Sequence, residues 1–584
     1  PTRRSSDLYD LSSLLTKGLS VHGSIAYDSY YYSRKKYSKT FPYYLARRDA
    51  EDPDYIYLIP QSEESIWSVS TGWDKNRKVY MEFGIDYNRT FGLHKTTALI
   101  LYNQSKYYSP SLQYYVPNAY QGLVGRLTYE YASRYLAEFN MGYNGTENFA
   151  KGKRFGFFPA VSLGWVISEE KFFPKNNIVK YLKVRGSYGE VGNDQIGGDR
   201  FLYLPSSYGA ASDSGVNKYN FGLASNPYTS LMIVENKIGN PDLTWEKAKK
   251  MNVGVDINLF NNCLTASFDI FKEKRNNILA NRSTSPMIIG ANLPAYNFGE
   301  MENRGWEMDL NFRHHIQDFH YWARFNYSFA RNEIIYMDEV QKRYDYQMTT
   351  GRRKNQFFGL IFDGYYNSWE EINALDRPKS SWSGNQLQPG DVKYVDVNQD
   401  GVIDDYDMVP IGYTPVPEII YGFSFGAQYK GFDFSILFQG ADNVSIKYFG
   451  RSMWPFAKGE ESAKSLIKER WTQERYEAGE KITFPRLSLN PNGETDHNYR
   501  PSTLWIRDAS YLRLKNLEVG YTFTGGFVKR LNLNSVRLYF NGSNLFTWTD
   551  VVDLDPEAPS RSGNVEINTY PLQKVYNIGL NINF

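Results

Sequence analysis

Residues 396–407, DVNQDGVIDDYD, hold the densest set of groups able to do chemistry. Asp396, Asn398 and Asp400 stand at positions 1, 3 and 5 of a twelve-residue loop, and Gly401 at position 6 allows a sharp turn. Val402 offers its carbonyl at 7, Asp404 stands at 9 and Asp407 at 12. Oxygen donors at this spacing suit a hard cation, and Ca²⁺ is the cation expected. Position 12 is Asp where such loops usually carry Glu, so bidentate ligation there has a shorter reach. A solvated Asp/Asn/Gly turn without metal has the same composition.

No other stretch reads as a catalytic constellation. The six histidines are scattered, and His314-His315, at a strand end before Ile316, reads as a turn. Gly186, Gly189 and Gly192 lie in a strand-to-loop stretch rather than before a helix, which excludes a phosphate-cradling loop. Cys263 is the only cysteine, so an intrachain disulfide is excluded. The chain reads as a protein that makes and breaks no bonds. Lys and Arg total 66 against 64 Asp and Glu, which gives no footprint for nucleic acid. Trp369, Trp382, Tyr448, Trp454 and Phe456 sit among polar residues in long connections. Such rings stack on a sugar or peptide ligand, pack on a partner, or pack within their own loops.

The elements that carry these loops are strands. Val253, Val255, Ile257 and Leu259 alternate with polar residues, turn at Phe260–Cys263, and return as Leu264, Ala266, Phe268 and Ile270. The pattern recurs at 137–143, 306–312, 323–329, 421–438 and 517–523. About sixteen to eighteen strands of this kind are expected, separated alternately by short turns and by long polar stretches at 190–250, 335–390, 440–500 and 549–568. One segment, 462–479, reads as helical. Tyr numbers 49, aromatics make up 17% and mean hydropathy is −0.54. No run approaches the roughly 18 apolar residues of a membrane helix. A transmembrane β-barrel remains, because half of each of its strands is polar and its rims are aromatic. A soluble or surface-anchored glycan-binding β protein or adhesin is the alternative.

The end of the chain favours the barrel. In KVYNIGLNINF, Tyr576, Ile578, Leu580, Ile582 and Phe584 fall on one face and Asn577, Gly579, Asn581 and Asn583 on the other. A flat half-apolar edge is a liability in water but is the closing strand that a barrel needs. The spacing of Asn577, Gly579, Ile582 and Phe584 resembles the C-terminal signal read by the outer-membrane barrel assembly machinery.

Several stretches in order resemble the SusC/RagA-type TonB-dependent outer-membrane transporters of Bacteroidetes. They include GFFPAVSLGWVISEEKFF (156–173), LKVRGSYGEVGNDQIGGDRF (182–201), NFGEMENRGWEMDL (297–310), GDVKYVDVNQDGVIDDYD (390–407) and LWIRDASYLRLKNLEVGYTF (504–523). The resemblance implies an all-β, antiparallel transmembrane β-barrel in the cell outer membrane, surrounded by its lipid. The full family has 22 strands around an N-terminal plug. It also implies import of oligosaccharide or peptide with energy from the TonB complex and with a SusD-like surface lipoprotein as partner. The plug, the TonB box and the first strands of the pattern are not matched here, so residues 9–584 read as the C-terminal part of such a barrel. Residues 1–8, PTRRSSDL, resemble a translated sequencing-library adapter. An open seam beside 574–584, or closure onto residues near 14–28, is expected.

Overall fold

The computed structural model describes the chain apart from residues 1, 11–15, 49, 50, 53, 55, 113, 114, 198, 199, 205–207, 211–217, 224–227, 232, 236, 237, 285–292, 383–386, 449–452, 457–464, 489–495 and 558–571. Seventeen strands form one sheet among the described residues. They are β1 Thr2–Asp10, β2 Leu19–Ser38, β3 Ser68–Phe91, β4 His94–Tyr108, β5 Asn118–Tyr131, β6 Tyr135–Thr146, β7 Phe155–Val166, β8 Val179–Asn193 and β9 Glu246–Leu259. They continue as β10 Leu264–Ala280, β11 Tyr296–Ile316, β12 Phe319–Tyr336, β13 Ile419–Tyr429, β14 Phe432–Asp442, β15 Tyr511–Phe523, β16 Ser535–Thr549 and β17 Val575–Asn583. Each pairs antiparallel with the next in sequence, so the sheet is one continuous meander.

Alternation along the strands fixes register, because a slip of one residue turns every side chain to the other face. Val253 pairs with Ile270, Ile270 with Trp306, and Trp306 with Phe329, so apolar residues meet across four strands. This apolar face is exposed: Val253 is 59% accessible, Ile270 56% and Ile578 82%. The polar face instead carries ion pairs, among them Arg185 with Asp256 and Asp269. In water, each exposed Ile or Phe forgoes about 1.5–3 kcal/mol of burial. A sheet with its greasy face outward and its charges inward is stable only where lipid covers the outside.

The connections alternate as the turn signals predict. Two-residue turns Gly92-Leu93 and Lys430-Gly431 join β3 to β4 and β13 to β14, and 260–263 joins β9 to β10. Phe260, Asn261 and Asn262 all take positive φ there, a conformation asparagine tolerates well. At the other end run the long connections 194–245, 337–418, 443–510 and 550–574, and also 39–67, which the sequence reading did not single out. Among the described residues helices are few and short: α1 Trp369–Ile372, α2 Gln473–Glu477 and α3 Gly526–Arg530. Of the helix expected over 462–479, residues 462–464 lie outside the described residues, and the remainder is not continuous. A 3-10 turn at Ser465–Glu469 is followed by a break where Trp471 bonds to Phe484, and Thr472 then caps α2.

β17 pairs with β16, and among the described residues its other edge pairs with no strand. β2 is held by β1 and β3, so closure onto residues 14–28 does not occur. The largest buried apolar cluster lies in the long connections, not between the faces of the sheet.

Candidate functional site

Two arrangements carry chemistry: a charged lattice on the polar face, and a folded unit built by three long connections at one end of the sheet.

In the lattice, Arg185 of β8 reaches across β9 to β10. Its guanidinium donates to Asp256 at 3.1 Å and to both carboxylate oxygens of Asp269 at 2.7 Å. Gly254 lies beneath it. Arg537 of β16 repeats the arrangement: it donates to Asp433 of β14 and Glu518 of β15 over Gly520. Glu273 sits between Lys250 and Arg275, and Arg275 also reaches Glu246. These paired charges leave a polar, hydrated surface. Sequence reading missed the pairs because their members lie far apart along the chain; the one visible hint was charged residues on the polar side of the alternation.

The folded unit joins 337–418, 443–510 and 550–557. Leu360, Val392, Ile446, Tyr448, Met453, Trp454, Phe484, Tyr499 and Trp505 form its buried centre. Leu360 and Thr503 exchange backbone bonds with their neighbours across the first two connections: Leu360 N donates to Pro501 O and Thr503 N to Leu360 O. Asn498 is fully engaged, accepting from Val392 N and donating to Asp391 at 2.8 Å, while Trp505 Nε1 donates to its carbonyl. Tyr448 stitches in the third connection, donating to Val552 O and accepting from Val552 N. Two charged ties fasten the unit to the strands. Buried Arg513 of β15 holds Asp555 and Glu557, and buried Glu418 holds Arg331 and Arg353.

The ring residues expected to face a ligand divide. Tyr448 and Trp454 are 1% and 4% exposed, in the centre of the unit. For these two rings the reading that holds is packing among the connections, and polar neighbours in sequence do not reveal that three connections fold onto one another. Trp382 is partly buried beneath the Arg500 guanidinium, 4.0 Å from its ring centre. Phe456 is half-buried with φ 59°. Trp369, on α1, stays open. The sequence reading missed a group beside the acidic loop: Tyr344 stacks on Tyr346 at 5.2 Å, and Arg343 lies 5.0 Å over Tyr406.

The acidic loop is closed by its own amides. Asp396 accepts from Gln399 N and Gly401 N, Asn398 from Asp400 N, and Asp400 from Val402 N. Asp404 caps the turn 405–407 by accepting from Tyr406 N. Asp407 is fully buried and accepts from Val397 N at 2.8 Å and Asp404 N at 2.9 Å. Burial, with a smaller push from Asp396, raises its carboxyl above the usual range. The expected calcium set, Asp396, Asn398, Asp400, Val402, Asp404 and Asp407, does not converge in this conformation: among the described residues no three His, Cys, Asp or Glu side chains gather around a point that could hold an ion.

In the last strand, Asn577 pairs with Asn541, Gly579 with Tyr539 and Ile582 with Val536. A Cβ on Gly579 would meet the Tyr539 ring at 2.2 Å, so glycine is required for that ring to lie flat. Phe584 is exposed, and Asn534 donates to its carbonyl at 2.6 Å.

The sequence model of the family described as TonB dependent receptor-like, beta-barrel matches residues 2–545. TonB-dependent receptor P3 of Formosa agariphila is 28% identical over 479 residues, 79% of this chain and 45% of the relative. TonB-dependent receptor SusC of Bacteroides thetaiotaomicron is 28% identical over 477 residues, 81% of this chain and 44% of the relative. The chain therefore spans less than half the length of these curated relatives. The structure of the RagAB peptide transporter superposes with a TM-score of 0.71 at 20% identity, covering 100% of this chain and 62% of that one.

Proposed function

Because the chain belongs to the TonB-dependent receptor-like β-barrel family of the outer membrane, we propose that the full protein is an active importer of oligosaccharides or peptides. The observation that carries this reading is the inverted sheet: an apolar face turned to lipid, and a charged, hydrated face that becomes the lumen. A wide polar passage suits bulky hydrophilic cargo. The relatives are named as receptors, and RagAB as a peptide transporter.

In this reading the folded unit of the long connections forms the mouth on the cell surface. Its open Trp369 and the Arg343–Tyr344–Tyr406 group would contact cargo or a SusD-like lipoprotein. TonB would supply energy through parts of the protein outside this chain. The soluble glycan-binding alternative is not favoured, because it leaves the exposed apolar face uncovered.

Uptake of labelled oligosaccharide and peptide pools by cells carrying the full-length receptor tests the reading. Accumulation should vanish on deleting the receptor and on collapsing the proton-motive force. Uptake that survives both would end it.

We also keep calcium as a proposal for the acidic loop. The carboxylates of Asp396, Asp400, Asp404 and Asp407, the Asn398 amide oxygen and the Val402 carbonyl are the hard donors calcium takes, at the spacing of a calcium loop.

A further inference from the structure

We infer that a crevice between the strand wall and the connection 337–418 binds the C-terminal residue of a peptide, with its apolar side chain on the crevice floor and its carboxylate at Lys354. The inference rests on the importer reading and narrows its cargo to peptides. The crevice encloses about 390 Å³, within the roughly 300–1,000 Å³ of small-ligand sites. β9, β10, β11 and β12 supply one side, and residues 353–354 and 414–418 the other. Glu273 and Asn303 place it on the charged face, at the long-connection end where cargo enters in that reading.

Two features build the concavity. β10 carries a bulge: Arg275 pairs with Met301 but Ile278 with Gly299, so one extra residue stands on β10. Asn277 takes φ 57° there, and Asn297 Nδ2 donates to its carbonyl at 2.9 Å. Such a bulge bends the strand and re-aims the side chains beyond it, which brings Ile278 into the lining. Across from it, buried Glu418 accepts from Arg331 at 3.0 and 2.9 Å and pairs with Arg353. Asn332 Oδ1 accepts from Lys354 N at 2.7 Å. The connection is thereby fixed to the wall, and a ligand binding there has little left to order.

The lining sorts by chemistry. Ile278, Met301, Ala330, Val416 and Pro417 are apolar, and a methionine adapts its shape to different side chains. Most of the charges are paired: Arg275 with Glu246 and Glu273, Glu302 with Lys272, and Glu418 with its two arginines. Lys354 is exposed and, among the described residues, is in no ion pair. Half-buried Asn303 makes no side-chain hydrogen bond among the described residues, and its amide offers the donor and the acceptor that a peptide group needs. No aromatic ring lines the crevice among the described residues, so a sugar has no face to stack on there. An apolar floor, one unpaired cation and one free amide match the side chain, carboxylate and peptide group of a terminal residue.

The test titrates the full-length receptor, in detergent micelles, with a tetrapeptide of alanines ending in leucine, as the free acid and as the C-terminal amide. The acid should bind on the order of tenfold more tightly, the worth of one hydrogen bond to a charged group. Lys354→Gln should erase that preference and Lys354→Arg should keep it. Val416→Trp, at an exposed position of the lining, should weaken both forms by filling the floor. Heat-modifiable gel mobility checks that each variant is folded. No binding by the parent, equal binding of acid and amide, an unchanged preference in Lys354→Gln or unchanged binding in Val416→Trp would overturn the inference. So would displacement of the peptide by maltotetraose or by octanoate at equal concentration, which would assign the crevice to a sugar or a fatty acid. Energy-dependent uptake by cells reports the importer reading separately: sugar uptake without peptide binding removes this inference alone, and loss of all uptake removes that reading.

Discussion

The Arg185 guanidinium lies across Gly254, with its Cζ and Nη1 each 2.7 Å from where a Cβ on that glycine would stand. The space that holds the arginine between Asp256 and Asp269 is the space a side chain at 254 would fill. Gly254→Leu is therefore expected to lift Arg185 off both carboxylates and destabilise the sheet by about 1–3 kcal/mol. The urea midpoint of the heat-modifiable gel shift measures this, and a midpoint equal to that of the parent would rule the arrangement out as a stabilising one.

Trp454 is a centre residue of the surface unit, not a ligand platform. Trp454→Ala should cost the unit about 3–5 kcal/mol. Limited proteolysis should then cut within 337–418 and 443–510 while the barrel keeps its gel mobility. Trp369→Ala, on the open helix, should change stability by no more than about 0.5 kcal/mol. If it also leaves cargo and partner binding unchanged by calorimetry, Trp369 leaves the list of contacts.

His497 sets a pH dependence. Its Nε2–H donates to Val392 O, and its Nδ1 lies 3.1 Å from the Ser380 hydroxyl. Burial holds its pKa below the usual histidine value. The unfolded chain binds that proton more readily, so the unit keeps full stability above about pH 6.5 and loses it as pH falls from there toward the lower folded value. Protease resistance of the unit should drop between pH 7.5 and pH 5. An unaltered cutting rate across that interval contradicts the prediction.

The acidic loop separates two roles. Asp407→Ala removes the acceptor for the Val397 and Asp404 amides and should destabilise the unit by about 1–3 kcal/mol whether or not metal is present. Calcium titrated calorimetrically into the full-length protein is expected to give a binding heat that Asp396→Ala abolishes. If no heat appears in the parent, the loop is a turn closed by its own amides.

The last strand carries the proposed assembly signal. Gly579→Val pushes against the Tyr539 ring, and Phe584→Ala removes the terminal aromatic. Both should lower the fraction of protein that becomes heat-modifiable in the outer membrane, Phe584→Ala without a change in the urea midpoint of the protein that does insert. Normal insertion of Phe584→Ala would dismiss the signal.

Much of the wall was written locally. Side chains alternate with period two, so the pairs Val253–Ile270 and Phe423–Phe438 follow from reading each hairpin alone. Turn chemistry at Phe260–Cys263 and Lys430-Gly431 placed the short connections at one end for the same reason. The candidate site was far less legible. Tyr448 and Trp454 look like loop aromatics because their neighbours in sequence are polar, yet their neighbours in space come from two other connections.

The sequence by itself determined the strands, their faces, the class of turn at each end and the apolar run to Phe584. Those properties depend on residues within a few positions of one another. Tertiary structure alone decided the Arg185–Asp269 pair, 84 residues apart, the Arg537–Asp433 pair, 104 apart, and the burial of the rings in the surface unit. Each of these joins groups whose meeting depends on how many strands and how much connection lie between them. Only the assembled sheet fixes that distance.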